Sequence, residues 1–314
     1  MTATNRDTYT DPKRILGSRV VEFHDIIGQP TAKREIQQLS EFFKHRDMLG
    51  LYGISIPNVL LHGPPGTGKT MLVESLAYEL LGDPTSLDII VYSLNLQDIG
   101  TAYINETSNN LSDYIDSICE DLCTRDTLNH AIIFMDEFDS IAGKRGTRHS
   151  HTEDDKVVNT LNSYLDGDRY LPNINYIAAT NNYNLVDPAL KSRFGLHLKF
   201  DPFKTTSDKS SVLKSSHTQL ERRSDPAYTE YLFNRVSEIG FDTVVTTYLK
   251  DLPLSGRDLM SIARHAVEHR ITELITTNTQ QISVCTDDYK YSAEQFVTQH
   301  NKSSKQNRQM GFRK

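Results

Sequence analysis

Five short apolar runs, residues 59–62, 89–94, 131–135, 176–179 and 196–200, alternate along the chain with segments whose apolar positions recur at helical spacing. The runs are mostly continuous rather than polar-alternating, so they predict strands buried on both faces of a parallel sheet, with the helical segments covering it. One predicted helix spans residues 31–48, with Ile36, Leu39 and Phe43 on one stripe. Another spans 69–81, with Leu72, Leu76 and Leu80 aligned. After Phe203 the strand pattern stops. Residues 207–300 read as helices, with Asp208 as a cap, Gly240 and Pro253 as punctuation, and Leu259, Ile262 and Ala266 on one face. The expected fold class is therefore α/β, a parallel sheet with helices on both faces followed by a small all-helical lid. Expected boundaries are a linker at 1–20, the large α/β domain at 21–204, the helical lid at 205–300 and a basic tail at 301–314. No internal repeat is visible.

Three of the strand ends carry chemistry. The stretch Gly63-Pro64-Pro65-Gly66-Thr67-Gly68-Lys69-Thr70 leaves the first run and opens the second helix, which is the context of a P-loop. Its glycines let successive N–H groups turn toward phosphates, and the helix adds its positive N-terminal end. Lys69 is placed to reach the β- and γ-phosphates, and Thr70 to hold magnesium. The run at 131–135 ends in Asp136 and Glu137. Adjacent carboxylates at a buried strand end call for a cation. Asp136 can meet the Mg²⁺ carried by Thr70, while Glu137 can polarise a water attacking the γ-phosphate. ATP and Mg²⁺ are the implied cofactors and ATP hydrolysis the implied reaction. Asn181 closes the fourth run, where its amide can lie beside the carboxylates and orient that water.

The order and spacing of these and further motifs resemble the AAA family of ATPases, within the AAA+ superfamily, over nearly the whole chain. Residues 21–28 resemble the family's lead-in segment beside the adenine pocket, and 53–57 its approach to the P-loop. Asn181 matches sensor 1, residues 187–194 resemble the arginine-finger segment, and 255–259 the start of the sensor 2 helix. The resemblance implies that Ile27, Gly28, Pro65, Gly66, Thr67, Gly68, Lys69, Thr70, Met71, Asp136, Gly256 and Arg257 surround the nucleotide. It makes Thr70 and Asp136 the metal residues, partly through water, and Glu137, Asn181 and Arg193 the catalytic ones. Arg193 would act on a neighbouring subunit, so a homo-oligomeric ring, expected as a hexamer, follows. Lys191 and Ser192 stand where many relatives carry another arginine, and Arg257 where many protein remodellers have alanine. Residues 98–111 resemble the first pore loop of protein-translocating members, with Tyr103 and Ile104 lining the channel and Asn105 in place of a glycine. Residues 143–156 match the second pore loop in position. A protein client threaded through the ring is the activity this implies.

Composition narrows the classes. The chain has 314 residues, 37% hydrophobic and 24% charged, enough for a large core plus a second domain. No segment approaches the roughly 18 apolar residues of a membrane span, and residues 1–6 lack a secretory core. Cys119, Cys123 and Cys285 form neither a disulfide framework nor a CxxC pair, so a soluble protein of the reducing cytoplasm is expected. A net charge of −7 argues against phosphate-backbone binding, and nucleic acid is not expected as a partner. Two other readings stay open. A nucleic-acid motor or clamp-loader-type ATPase would need a basic channel, which Tyr103 and the negative charge disfavour; an ATP-switched assembly scaffold would not need Glu137 and Arg193.

Overall fold

The computed structural model describes residues 14–17, 20–86, 88–95, 106–124, 130–140, 152–224, 232–233, 236–277 and 283–311. The chain divides into two compact units, residues 1–64 with 68–201 and residues 65–67 with 202–314.

In the first unit the strands are β1 (Arg14–Ile15), β2 (Val59–His62), β3 (Ile89–Asn95), β4 (His130–Asp136), β5 (Ile174–Thr180) and β6 (Leu196–Lys199), in the spatial order β1-β3-β4-β5-β2-β6. β2 to β6 run parallel, and among the described residues only β1 is antiparallel, paired with β3. The register sets Leu61 opposite Ala179 and His62 opposite Thr180, so β2 and β5 end level. From β2 the chain crosses two strands to reach β3, and from β5 it crosses back over β2 to β6. The C-terminal end of β2 is therefore a topological switch point, where open α/β sheets form a crevice.

The helices are α1 (Pro30–Lys44), α2 (Arg46–Leu51), α3 (Lys69–Gly82), α4 (Glu106–Thr124), α5 (Thr152–Asp166) and the short α6 (Pro188–Lys191). Alternation along each strand feeds two cores. Leu60, Ile133, Met135, Tyr176 and Ala178 pack with Ile115, Ile118, Val158 and Leu161 of α4 and α5. Val59, Leu61, Ile132, Phe134 and Ile177 pack with Ile36, Phe43, Leu72 and Leu76 of α1 and α3 on the other face. At about 25 cal/mol per Å² of apolar surface removed from water, this two-faced burial is the main term holding the sheet.

Three expectations change. The helix expected over 31–48 stops at Lys44, where His45 leaves helical geometry, and α2 buries none of its residues. Past Phe43 no apolar position faces the core, and Arg46 is drawn instead to Asp88 and to the carbonyl of Phe43. Within the expected linker, Arg14–Ile15 forms the edge strand, and Leu16 is buried with its N–H on Val91 O at 2.8 Å. The segment expected as a basic tail from 301 is helical through Gly311, because nothing between Thr286 and that glycine punctuates the helix.

The second unit holds α7 (Thr206–Arg223), α8 (Phe241–Val244), α9 (Gly256–Thr277) and α10 (Thr286–Gly311), with a π-helical turn at Val245–Leu249. Lys209, fully buried on α7, donates to Leu249 O at 2.9 Å and Lys250 O at 2.8 Å, satisfying carbonyls at the end of that turn. Among the described residues of this unit, strand pairing is limited to isolated bridges, Phe203 with Leu254 and Phe233 with Val284.

Candidate active site

β2 hands over to the loop at Gly63, whose φ is +145° and whose added Cβ would sit 2.2 Å from Phe200 O, so a side chain is excluded. Gly66 and Gly68 have φ of +72° and +100°, left-handed backbone that glycine takes without strain. The loop runs into α3 with Gly68 as its N-cap, so the positive N-terminal end of that helix opens directly from the loop. Lys69 is only 7% exposed. Its ammonium donates to Gly63 O at 2.7 Å, Pro64 O at 2.9 Å and Asn181 Oδ1 at 2.9 Å. The first residue of α3 and the residue after β5 are thus joined directly because β5 lies beside β2.

Thr70 Oγ1 donates to Asp136 Oδ2 at 2.9 Å. Magnesium binds oxygens octahedrally at about 2.0–2.1 Å, which puts adjacent ligands about 2.9 Å apart, so this hydroxyl and carboxylate fit two neighbouring positions of such an ion. Asp136 Oδ1 accepts from the Glu137 N–H at 2.9 Å. Glu137 itself has φ of +53°, a left-handed turn that costs a non-glycine residue on the order of 1–2 kcal/mol. Its Oε2 is buried with no hydrogen-bond partner. Such strain and such an orphan acceptor are features that gather at functional sites.

Sequence reasoning missed Asp139. Its Oδ1 accepts from Thr180 Oγ1 at 2.7 Å and from the Asn181 N–H at 3.1 Å, pinning the end of β5 to the turn that carries Glu137. A third acid in Asp136-Glu137-Phe138-Asp139 was visible, but nothing in the sequence tells which strand end it faces. His62 was also missed. Burial above all, with the nearby ammonium groups of Lys199, Lys69 and Lys191, holds its imidazole below the ordinary histidine value, so it is neutral at pH 7.

Arg193 follows α6, which Asp187 caps by accepting from the Ala189 N–H at 2.8 Å. Its Nη1 donates to Ala189 O at 2.7 Å, within its own turn, and its Nε is buried without a partner. Lys69, Thr70, Asp136, Glu137 and Asn181 come together, whereas Arg193 bonds within its own turn. Ile27 and Gly28 lie in a tight turn, Gly28 at φ +69° and Gln29 at +53°. The Gln29 amide clamps that turn to the backbone of Asp201 at 2.6 Å and 3.3 Å. Met71 is half-buried on the first turn of α3. Gly256 and the exposed Arg257 open α9 in the second unit. Tyr103, Ile104 and residues 143–151 lie outside the described residues, so neither expected pore loop can be placed. No helix among the described residues is long and apolar enough to cross a membrane.

Residues 59–202 match the model of the ATPase family associated with various cellular activities (AAA). The chain is similar to the ATP-dependent zinc metalloprotease FtsH 2 of Methylacidiphilum infernorum (isolate V4), at 32% identity over 179 residues, covering 55% of this chain and 25% of that protein. It is similar to a putative 26S proteasome regulatory subunit homolog of Methanocaldococcus jannaschii, at 31% identity over 191 residues, covering 60% of this chain and 47% of that one. FtsH of Hahella chejuensis is 30% identical over 184 residues, 57% of this chain and 28% of that protein. The chain spans between a quarter and about half of the length of these relatives.

Proposed function

We propose that this chain, whose residues 59–202 match the AAA family of ATPases, is a Mg²⁺-dependent ATPase that assembles as a homo-oligomeric ring, a hexamer, and remodels or unfolds protein clients. The observation that carries the hydrolytic part is the Thr70–Asp136 contact with the strained, unpaired Glu137 beside it. In this reading the N–H groups of residues 65–70 and the Lys69 ammonium bind the phosphates. Ile27 and Gly28 border the base, with Met71 next to the cradle. Thr70 and Asp136 hold the metal, which when bound neutralises charge on the phosphate oxygens. Glu137 Oε2 accepts a hydrogen bond from the attacking water and takes its proton, Asn181 orients that water, and Arg193 of the next subunit offsets negative charge in the transition state.

The protein-client part is supported by the names of the relatives, a protease and a proteasome regulatory subunit homolog. Tyr103 and Ile104 would line the channel, offering apolar area at low entropy cost. The proposed domains are a large one at 21–204 and a small helical one from 205. Glu137→Gln tests the site. It removes the acceptor of the proton but leaves Thr70, Asp136 and Lys69 in place, so ATP binding and assembly should persist while kcat falls by about 10²–10⁴. Near wild-type turnover by this variant, or turnover indifferent to chelation of Mg²⁺, would remove the assignment.

A further inference from the structure

A chain of ring contacts outside the phosphate cradle runs between the cradle and the segment of Arg193. It starts at His62, the last residue of β2, whose ring lies 4.3 Å from that of Tyr183. Tyr183 follows Asn181 by two residues, and its hydroxyl is 2.8 Å from His197 Nδ1 on β6. His197 Nε2 in turn lies 3.1 Å from Lys191 O and 3.0 Å from Phe194 O. Two carbonyls can only accept, so Nε2 carries the proton, and Nδ1 accepts from the tyrosine O–H. The imidazole therefore holds the peptide on both sides of Arg193, and Tyr183 holds the imidazole in the tautomer and orientation that do so. Lys191 closes the arrangement with its ammonium 4.3 Å over the Tyr183 ring. On its other side the same segment is anchored by Phe194, edge-on to Phe138 at 5.6 Å, next in sequence to Glu137.

We propose that Tyr183 and His197 are positioning residues for Arg193, fixing the finger that a subunit lends to its neighbour to the Asn181 loop of its own site. The proposal rests on the reading of Arg193 as acting in trans. Neither residue touches the cradle by hydrogen bond; each acts through backbone carbonyls that set where the guanidinium projects. Arg193 is half-buried, with Nη1 on Ala189 O at 2.7 Å and Nε unpartnered, so its direction follows the backbone of its own turn, which is what His197 holds.

Mixed assemblies separate this role from general packing. Lys69→Ala protein, which lacks its own cradle lysine, is mixed with Arg193→Ala protein, and ATP hydrolysis is measured. Restored turnover reports fingers donated by the Lys69→Ala subunits. Donors carrying both Lys69→Ala and Tyr183→Phe keep the ring contacts but lose one hydroxyl hydrogen bond, so they should restore about two- to tenfold less. Donors with Lys69→Ala and His197→Ala should restore less still. Acceptors carrying both Arg193→Ala and Tyr183→Phe, paired with Lys69→Ala donors whose Tyr183 is intact, should turn over as fast as Arg193→Ala acceptors. Loss that depends on the donor and not on the acceptor is the signature; a structural defect would weaken both. If Tyr183→Phe donors restore full activity, or both placements lose equally, the positioning role is wrong. If Lys69→Ala and Arg193→Ala never complement, the trans reading fails and the proposal falls with it.

Discussion

Replacing Asp139 by alanine should slow hydrolysis without weakening ATP binding, and the structure sets the size of the effect. One carboxylate oxygen accepts from the Thr180 hydroxyl at 2.7 Å and the Asn181 N–H at 3.1 Å. Thr180 is 1% exposed, so its O–H is left without an acceptor, at a cost of about 1–3 kcal/mol. Asn181 is exposed, and its N–H can turn to water at little cost. The expected loss of stability is thus dominated by Thr180 and amounts to a fall in Tm of a few degrees, at about 2–4 °C per kcal/mol for a domain of this size. The kinetic cost has another origin: Asn181 loses its tie to the turn of Glu137, and misplacement of an orienting group by about 1 Å costs up to about 10²-fold. Asp139→Asn keeps an acceptor oxygen but no charge, so it should fall between wild type and Asp139→Ala. Single-turnover hydrolysis with ATP binding measured in parallel gives the comparison. Wild-type kcat in a destabilised Asp139→Ala protein would reduce Asp139 to a brace of the fold, and an increase in KM at unchanged kcat would place its effect on Lys69 instead.

Acid should weaken the first unit. Burial, against the opposing bond to Asn175, holds His130 below the ordinary histidine value, so below about pH 6.5 the unfolded chain takes up a proton that the folded one refuses. Tm should fall from pH 7.5 to 5.5, and His130→Gln should flatten the slope; identical slopes would discard this origin. In the second unit Asp288 is fully buried and accepts from Arg270 Nε at 3.0 Å and Nη2 at 2.8 Å, from His269 Nδ1 at 3.0 Å and from the Cys285 N–H at 2.7 Å. Arg270→Met strands that carboxylate and should cost about 3–5 kcal/mol in denaturant unfolding, and adding Asp288→Asn should recover part of it; a loss below about 1 kcal/mol would contradict the pairing.

The strands and the cradle were legible because their signals are local. Continuous apolar runs of strand length, a glycine-rich turn at fixed spacing and acids at a strand end need no knowledge of the partner. What stayed hidden depends on adjacency. The bonds of Asp139 to Thr180 and of Tyr183 to His197 exist because β5 is inserted between β4 and β2 and β6 flanks β2, an order that residue patterns do not encode. The break at His45 and the run of α10 past residue 300 turn on where core contacts end and where a helix lacks a stop, which periodicity reads poorly. The left-handed turn at Glu137 carries no sequence mark either, since glutamate rarely adopts it.

Steady-state ATP hydrolysis by the full chain with Mg²⁺, measured alone, with a permanently unfolded polypeptide and with single-stranded DNA, tests the central claim most directly. A protein remodeller should be stimulated by the polypeptide and indifferent to DNA. Tyr103→Ala should keep its basal rate and lose the stimulation. Stimulation by DNA and not by polypeptide, or a rate that neither changes, would contradict the account.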